Sequence, residues 1–323
     1  MKRKSLVAGL CIALVFGISG VSLAKTEFIS IGTGGTGGVY YPLGGGIAEV
    51  WSKHVPGVQA VAEVTGASVE NVKLAHKGET VVGMVMGDVA VAGFEGSGKF
   101  EGKKNDILAL GMLYPNLLQM VTLKSSGITD VMQLKGKKIS TGSPGSGTNF
   151  MTEAVLKALG INPEDYTDSR LSFTENANAL RDGTIDMGSW SVGPGTSSIL
   201  DLATTHEIHI LSFTPEQTEK ILAANSEYAA VDLSGGIYRG VDQPVPTIGV
   251  WNVLICQSTL DTEMVYNLAK ALFENREYLL KIHPSADYTT PENTVAYAPI
   301  PLHPGTIKYL SEKGIEVPDK LKP

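Results

Sequence analysis

Ile31-Gly32-Thr33-Gly34-Gly35-Thr36-Gly37-Gly38-Val39-Tyr40 is the stretch on which the reading of this chain turns. It leaves a strand-like run at residues 28–31 and precedes a helical pattern at 42–54, where Leu43, Ile47, Val50 and Trp51 share one face and Pro42 takes the first position. Residues 58–64 read as a strand, 68–77 as a short helix capped by Ser68 and stopped by Gly78, and 81–86 as another strand. This βαβαβ order predicts a parallel sheet with helices on its faces.

The glycine run contains G-x-G-x-x-G, and Glu63 at the end of the next strand could serve as the ribose-binding acid of a dinucleotide fold. Against that, Pro42 sets the helix start several residues beyond the glycines. What remains is a loop of small residues whose backbone amides, with the Thr33 and Thr36 hydroxyls, suit an anion beside a helix start.

A second loop repeats the chemistry. Gly142-Ser143-Pro144-Gly145-Ser146-Gly147-Thr148 lies between a strand at 138–141 and a helix at 149–159. No Lys precedes Thr148, so it is not a Walker A loop, and Ser146 lacks the G-x-S-x-G setting of a hydrolase nucleophile. Ser68 and Asn71 add donors at a third helix start, and Asp88, after the strand at 81–86, is the best-placed acid, with a helix cap as its plainer role. Two such loops in separate α/β units can face one another across a cleft and hold one small anion without a cation.

The rest of the chain bounds this reading. Lys2, Arg3 and Lys4, an apolar stretch at 6–20 and Ser22-Leu23-Ala24 form a signal-peptide pattern cut after Ala24. Cleavage removes three basic residues and no acids, taking the net charge from -7 to -10, which argues against nucleic acid. Cys11 leaves with the signal and Cys256 remains alone, so no internal disulfide forms and the fold rests on its core. His206 and His209 are the only close histidines; at a strand entrance their spacing turns them to opposite faces, so no metal site is expected.

Two apolar runs, 107–113 and 117–123, are interrupted by Tyr114-Pro115-Asn116, and a second alternating unit follows, with strands at 171–173, 185–190 and 208–212. Residues 234–246 read as a loop, 247–256 as a strand and 261–282 as the longest helix. Trp190 and Trp251 suit the core or the ligand's aliphatic part. The second unit is thus inserted in the first, and residues 107–123 with 247–256 are the candidate crossing strands. The expected division is lobe I at 25–115 and 250–323, lobe II at 116–249.

The segments IGTGGTGGVYYPLGGGIAEV from Ile31, EVTGASVENVKLAHKGE from Glu63, GDVAVAGFEG from Gly87, LKGKKISTGSPGSGT from Leu134 and LHPGTIKYL from Leu302 resemble the TAXI solute-binding proteins, receptors of TRAP transporters. The resemblance implies a periplasmic receptor of two α/β lobes, type II-like, each a mainly parallel sheet flanked by helices and joined by crossing strands. It implies closure over a small carboxylate of the glutamate, glutamine or 2-oxo dicarboxylate class, delivered to a membrane permease, with no cofactor and no membrane insertion after cleavage. The ligand-binding set expected from the loops and the resemblance together is Thr33, Gly35, Thr36, Gly37, Tyr40, Ser68, Asn71, Asp88, Ser143, Ser146, Gly147 and Thr148. The rival class is a secreted α/β hydrolase or esterase, which needs a nucleophile and base that no motif supplies.

Overall fold

The computed structural model describes residues 26–323; the signal pattern and Cys11 lie outside the described residues. The first unit runs β1 (Glu27–Gly32), α1 (Tyr40–His54), β2 (Val58–Glu63), α2 (Ser68–Lys77), β3 (Val82–Met86) and α3 (Gly87–Glu95). The long strand β4 (Ile107–Leu123) leads into β5 (Lys138–Ser140), α4 (Gly147–Ala158), β6 (Thr167–Asp168), α5 (Phe173–Arg181), β7 (Met187–Val192), α6 (Ser197–Thr205), β8 (Ile208–Ile210), α7 (Pro215–Ala224) and β9 (Ala229–Leu233). The chain returns through β10 (Val245–Gln257) to α8 (Thr262–Glu274), α9 (Arg276–Ile282), α10 (Pro291–Tyr297) and α11 (Pro304–Glu312).

The ten strands of the described residues form one sheet in the order β2-β1-β3-β10-β4-β7-β5-β6, with β8 on β4 and β9 on β10. The outer groups β2-β1-β3 and β7-β5-β6 are each parallel, while β4 and β10 run antiparallel to their neighbours between them. At ~3.3 Å per residue, a strand as long as β4 spans both halves of the molecule. It pairs with β10 from Ile107 to Leu117 and with β7 from Leu117 to Thr122.

Four local expectations are corrected. Tyr114-Pro115-Asn116 does not interrupt β4: Pro115 stands opposite Trp251, where the register shifts before Val253, so its missing N–H falls where the ladder is already irregular. Helix α1 opens at Tyr40, two residues before Pro42, because a proline in the first turn forfeits only an amide that has no intrahelical partner. Residues 171–173 are not a strand. Ser172 and Glu175 form a reciprocal capping box that starts α5 at Phe173, and this local pairing overrides the strand preference of Leu171 and Phe173. The helix expected over 261–282 breaks at Asn275 into α8 and α9.

The core is continuous through both halves. Trp51 of α1 is fully buried and its indole N–H donates to Leu268 O at 3.0 Å, which ties the first helix to the last third of the chain. Trp190 is likewise a core residue, its Nε1 donating to Ser198 Oγ at 3.0 Å, whereas Trp251 is half-buried and stacks on Tyr297.

Candidate functional site

A cavity of about 290 Å³ lies between the two halves, over the crossing strands. Four helices begin at its wall, with Tyr40, Ser68, Gly147 and Phe173, the first residues of α1, α2, α4 and α5, all lining it. A helix start carries unpaired amides and about half a positive charge. In α4, Asn149 N donates to Ser146 Oγ and Phe150 N to Ser146 O, leaving the Gly147 and Thr148 amides without a partner in the helix. In α5, Glu175 N and Asn176 N are taken by Ser172, which leaves Phe173 and Thr174 in the same condition. No Lys, Arg, His, Asp or Glu stands among the lining residues, so an anion here meets only amides and hydroxyls.

Of the residues singled out in the sequence, Gly35, Tyr40, Ser68, Ser143, Ser146, Gly147 and Thr148 come together on this wall. Ser146 Oγ accepts from Asn149 N and Thr148 Oγ1 accepts from Ser191 N at 3.2 Å, so each hydroxyl keeps its own proton to donate. The Tyr40 hydroxyl donates to Asn252 Oδ1 at 2.5 Å, and Asn252 Nδ2 donates to Tyr114 O at 2.7 Å, which seats the ring on the floor. Burial pushes the Tyr40 and Tyr114 phenols far up, so both stay neutral.

Five others lie elsewhere. Thr33 is fully buried and donates to Glu63 O at 2.6 Å, bracing β1 against β2. Asn71 is also buried, its Nδ2 serving Gly32 O, Thr33 O and Met84 O, so it staples the strand ends rather than facing the cavity. Thr36 is exposed at the loop tip. Gly37 packs toward α5, where a Cβ would stand 2.6 Å from Thr174 Oγ1. Asp88 accepts from Tyr228 OH at 2.8 Å and from Val89 N at 2.8 Å, and burial lifts its carboxyl to about 7. Ser68 is not the cap of α2 but its first residue, and its Oγ accepts from Met86 N at 3.1 Å.

Sequence reasoning missed Tyr114, Asn116, Phe173 and Ser191. Tyr114 and Asn116 are alternate residues of β4, hence on one strand face, and an Asn beside a Pro in an apolar run is the signal that could have marked them. Phe173 was hidden by the strand reading of its segment.

The halves meet by direct contacts around the cavity. Val69 N and Glu70 N of α2 both donate to Gly145 O, at 3.0 and 3.4 Å, so the loop of one half caps a helix of the other. Ser198 Oγ donates to Gly37 O at 3.1 Å, and Lys99 pairs with Glu153 at 2.7 Å on the rim. Glycine is what permits this proximity: a Cβ on Gly147 would stand 2.4 Å from Met86 Sδ and 2.6 Å from Ser68 Oγ.

Two α/β halves on crossing strands, closing a small cavity at helix starts, define the fold of the two-lobed binding proteins. The chain belongs to the NMT1-like family, whose model matches residues 31–314. Among solved structures it is similar to MatC from Rhodopseudomonas palustris with bound malate, at TM-score 0.54 and 13% identity over 82% of this chain and 93% of that one. It is also similar to a binding protein component of an ABC phosphonate transporter from Pseudomonas aeruginosa (TM-score 0.53, 12% identity, 82% and 81% covered). A putative L-cystine ABC transporter protein from Listeria monocytogenes compares likewise (TM-score 0.51, 14% identity, 82% and 98% covered). At these identities the likeness is one of fold.

Proposed function

We propose that this chain is an extracytoplasmic solute receptor that holds a small carboxylate between its lobes and hands it to a TRAP-type permease. The carrying observation is the cavity itself, walled by helix starts with free amides and hydroxyls and by no charged side chain. The fold of the binding-protein neighbours and the TAXI-like segments support the same reading. In it the lobes comprise 25–115 with 250–323, and 116–249; the signal is removed after Ala24 and the receptor works in the periplasm. No described helix is long and apolar enough to cross a membrane, in keeping with a separate permease. A serine hydrolase would need a base, and neither a histidine nor a carboxylate lines the cavity beside Ser146.

The test is a thermal-shift screen of amino acids, 2-oxo acids, dicarboxylates and sugars on the mature protein, followed by calorimetry and run beside an esterase assay. A carboxylate should stabilise the protein without turnover. Stabilisation by sugars or cations alone would reject the proposal.

A further inference from the structure

Two residues that line the cavity each carry a buried polar atom with no hydrogen-bond partner among the described residues: Tyr114 OH and Asn116 Oδ1. Tyr114 is 1% exposed and Asn116 2%, and both residues line the cavity. The orientation of the Asn116 amide is settled by its other end, because Nδ2 donates to Ser191 O at 2.9 Å and a flipped amide would set two oxygens together. Oδ1 is therefore an acceptor that needs a donor. Tyr114 OH can donate or accept, and two residues along the same strand face it can share a partner with Asn116. Leaving such an atom unpaired on ligand closure carries its full desolvation cost.

Three common groups beside a carboxylate answer this pair differently. A 2-oxo group only accepts, which leaves Asn116 Oδ1 unpaired. A 2-ammonium group donates but carries a charge, and no acid lines the cavity: the Asp88 oxygens are taken by Tyr228 and Val89, and Glu70 Oε2 by Gly66 N. A 2-hydroxyl donates to Asn116, accepts from Tyr114 and brings no charge. We infer that the Tyr114–Asn116 pair selects a 2-hydroxy carboxylate, its carboxylate on the helix-start amides and its hydroxyl on the floor. The inference rests on the carboxylate reading above and narrows it.

Calorimetry with matched triads separates the two: lactate, pyruvate and alanine; malate, oxaloacetate and aspartate; 2-hydroxyglutarate, 2-oxoglutarate and glutamate, with both enantiomers of the chiral members. In the triad whose length fits, the hydroxy acid should bind roughly ten-fold or more tightly than its oxo and amino partners, the scale of one unpaired buried polar atom. Tyr114→Phe removes only an oxygen with no protein partner, so it should fold normally; hydroxyl and oxo groups both accept from that oxygen's proton, so hydroxy and oxo acids should each weaken roughly ten-fold. Asn116→Leu should erase the preference. Tightest binding of an oxo or amino acid, unchanged affinity for the hydroxy acid in Tyr114→Phe, or a preference that survives in a folded Asn116→Leu overturns this inference and leaves the carboxylate reading standing. No binding in any triad overturns both.

Discussion

Replacing Gly147 by Ala adds one methyl group at the point where the halves come closest. Gly147 opens α4 without a left-handed backbone, so alanine is acceptable to the helix itself. The obstacle is across the cleft, where the new Cβ would stand 2.4 Å from Met86 Sδ, 2.6 Å from Ser68 Oγ and 3.0 Å from Met86 Cγ. Ser68 is buried with its Oγ held by Met86 N, and the Met86 thioether, the more adaptable neighbour, lines the cavity itself, so a shift of it disturbs the ligand's wall. Relief requires the walls to part by about 1 Å or the Met86 side chain to shift by as much, since ordinary contacts of this kind lie near 3.5 Å or beyond. Overpacking of this order costs about 1–3 kcal/mol. On the proposed receptor reading, in which the lobes close over the ligand, the cost falls on the closed arrangement, so affinity should drop by roughly 5- to 150-fold. Gly35→Ala is the control, because a Cβ there meets nothing within 4 Å. Calorimetric titration with the best carboxylate, beside unfolding of the ligand-free variant, measures both quantities. Unchanged affinity in Gly147→Ala would refute the closure argument, and so would an equal loss in Gly35→Ala.

Ser146→Ala should weaken binding by about 1–3 kcal/mol, as loss of a donor to a charged group, whereas Thr36→Ala should leave it unchanged because Thr36 is exposed outside the cavity; the same titration decides. Asn71→Ala should lower stability by about 2–4 kcal/mol in denaturant unfolding, since three buried carbonyls lose their shared donor. Asp88 should make stability fall as pH rises. Its folded carboxyl sits at about 7, above the ordinary carboxylate value, so between about pH 4 and 7 the folded state binds the extra proton. The contribution is complete below that window and is lost through it, at no more than about 1.4 kcal/mol per pH unit. Asp88→Asn should flatten this part of the stability–pH curve.

Much of this molecule is local chemistry and was legible along the chain. Alternating apolar runs and glycine-stopped helices marked the βαβ units, and the Gly/Ser/Thr loops at 31–38 and 142–148 announced helix starts because small residues there leave amides open. Both crossing strands could be named as well, since only residues 107–123 and 247–256 offered long apolar runs between the units.

Which loop atoms face the cavity was a different kind of question. Thr33 and Thr36 are equivalent in sequence, yet one is buried under Glu63 O and the other points to water. Asn71 reads as a free donor until the carbonyls of Gly32 at the end of β1, of Thr33 just beyond it and of Met84 in β3 arrive around it. The floor, Tyr114 and Asn116, belongs to an apolar run whose turn-like Pro115 becomes a strand only because β10 supplies an irregular partner opposite it. These assignments depend on contacts between residues tens to hundreds of positions apart. Side-chain direction and burial are set when the sheet assembles, and no local pattern carries that information.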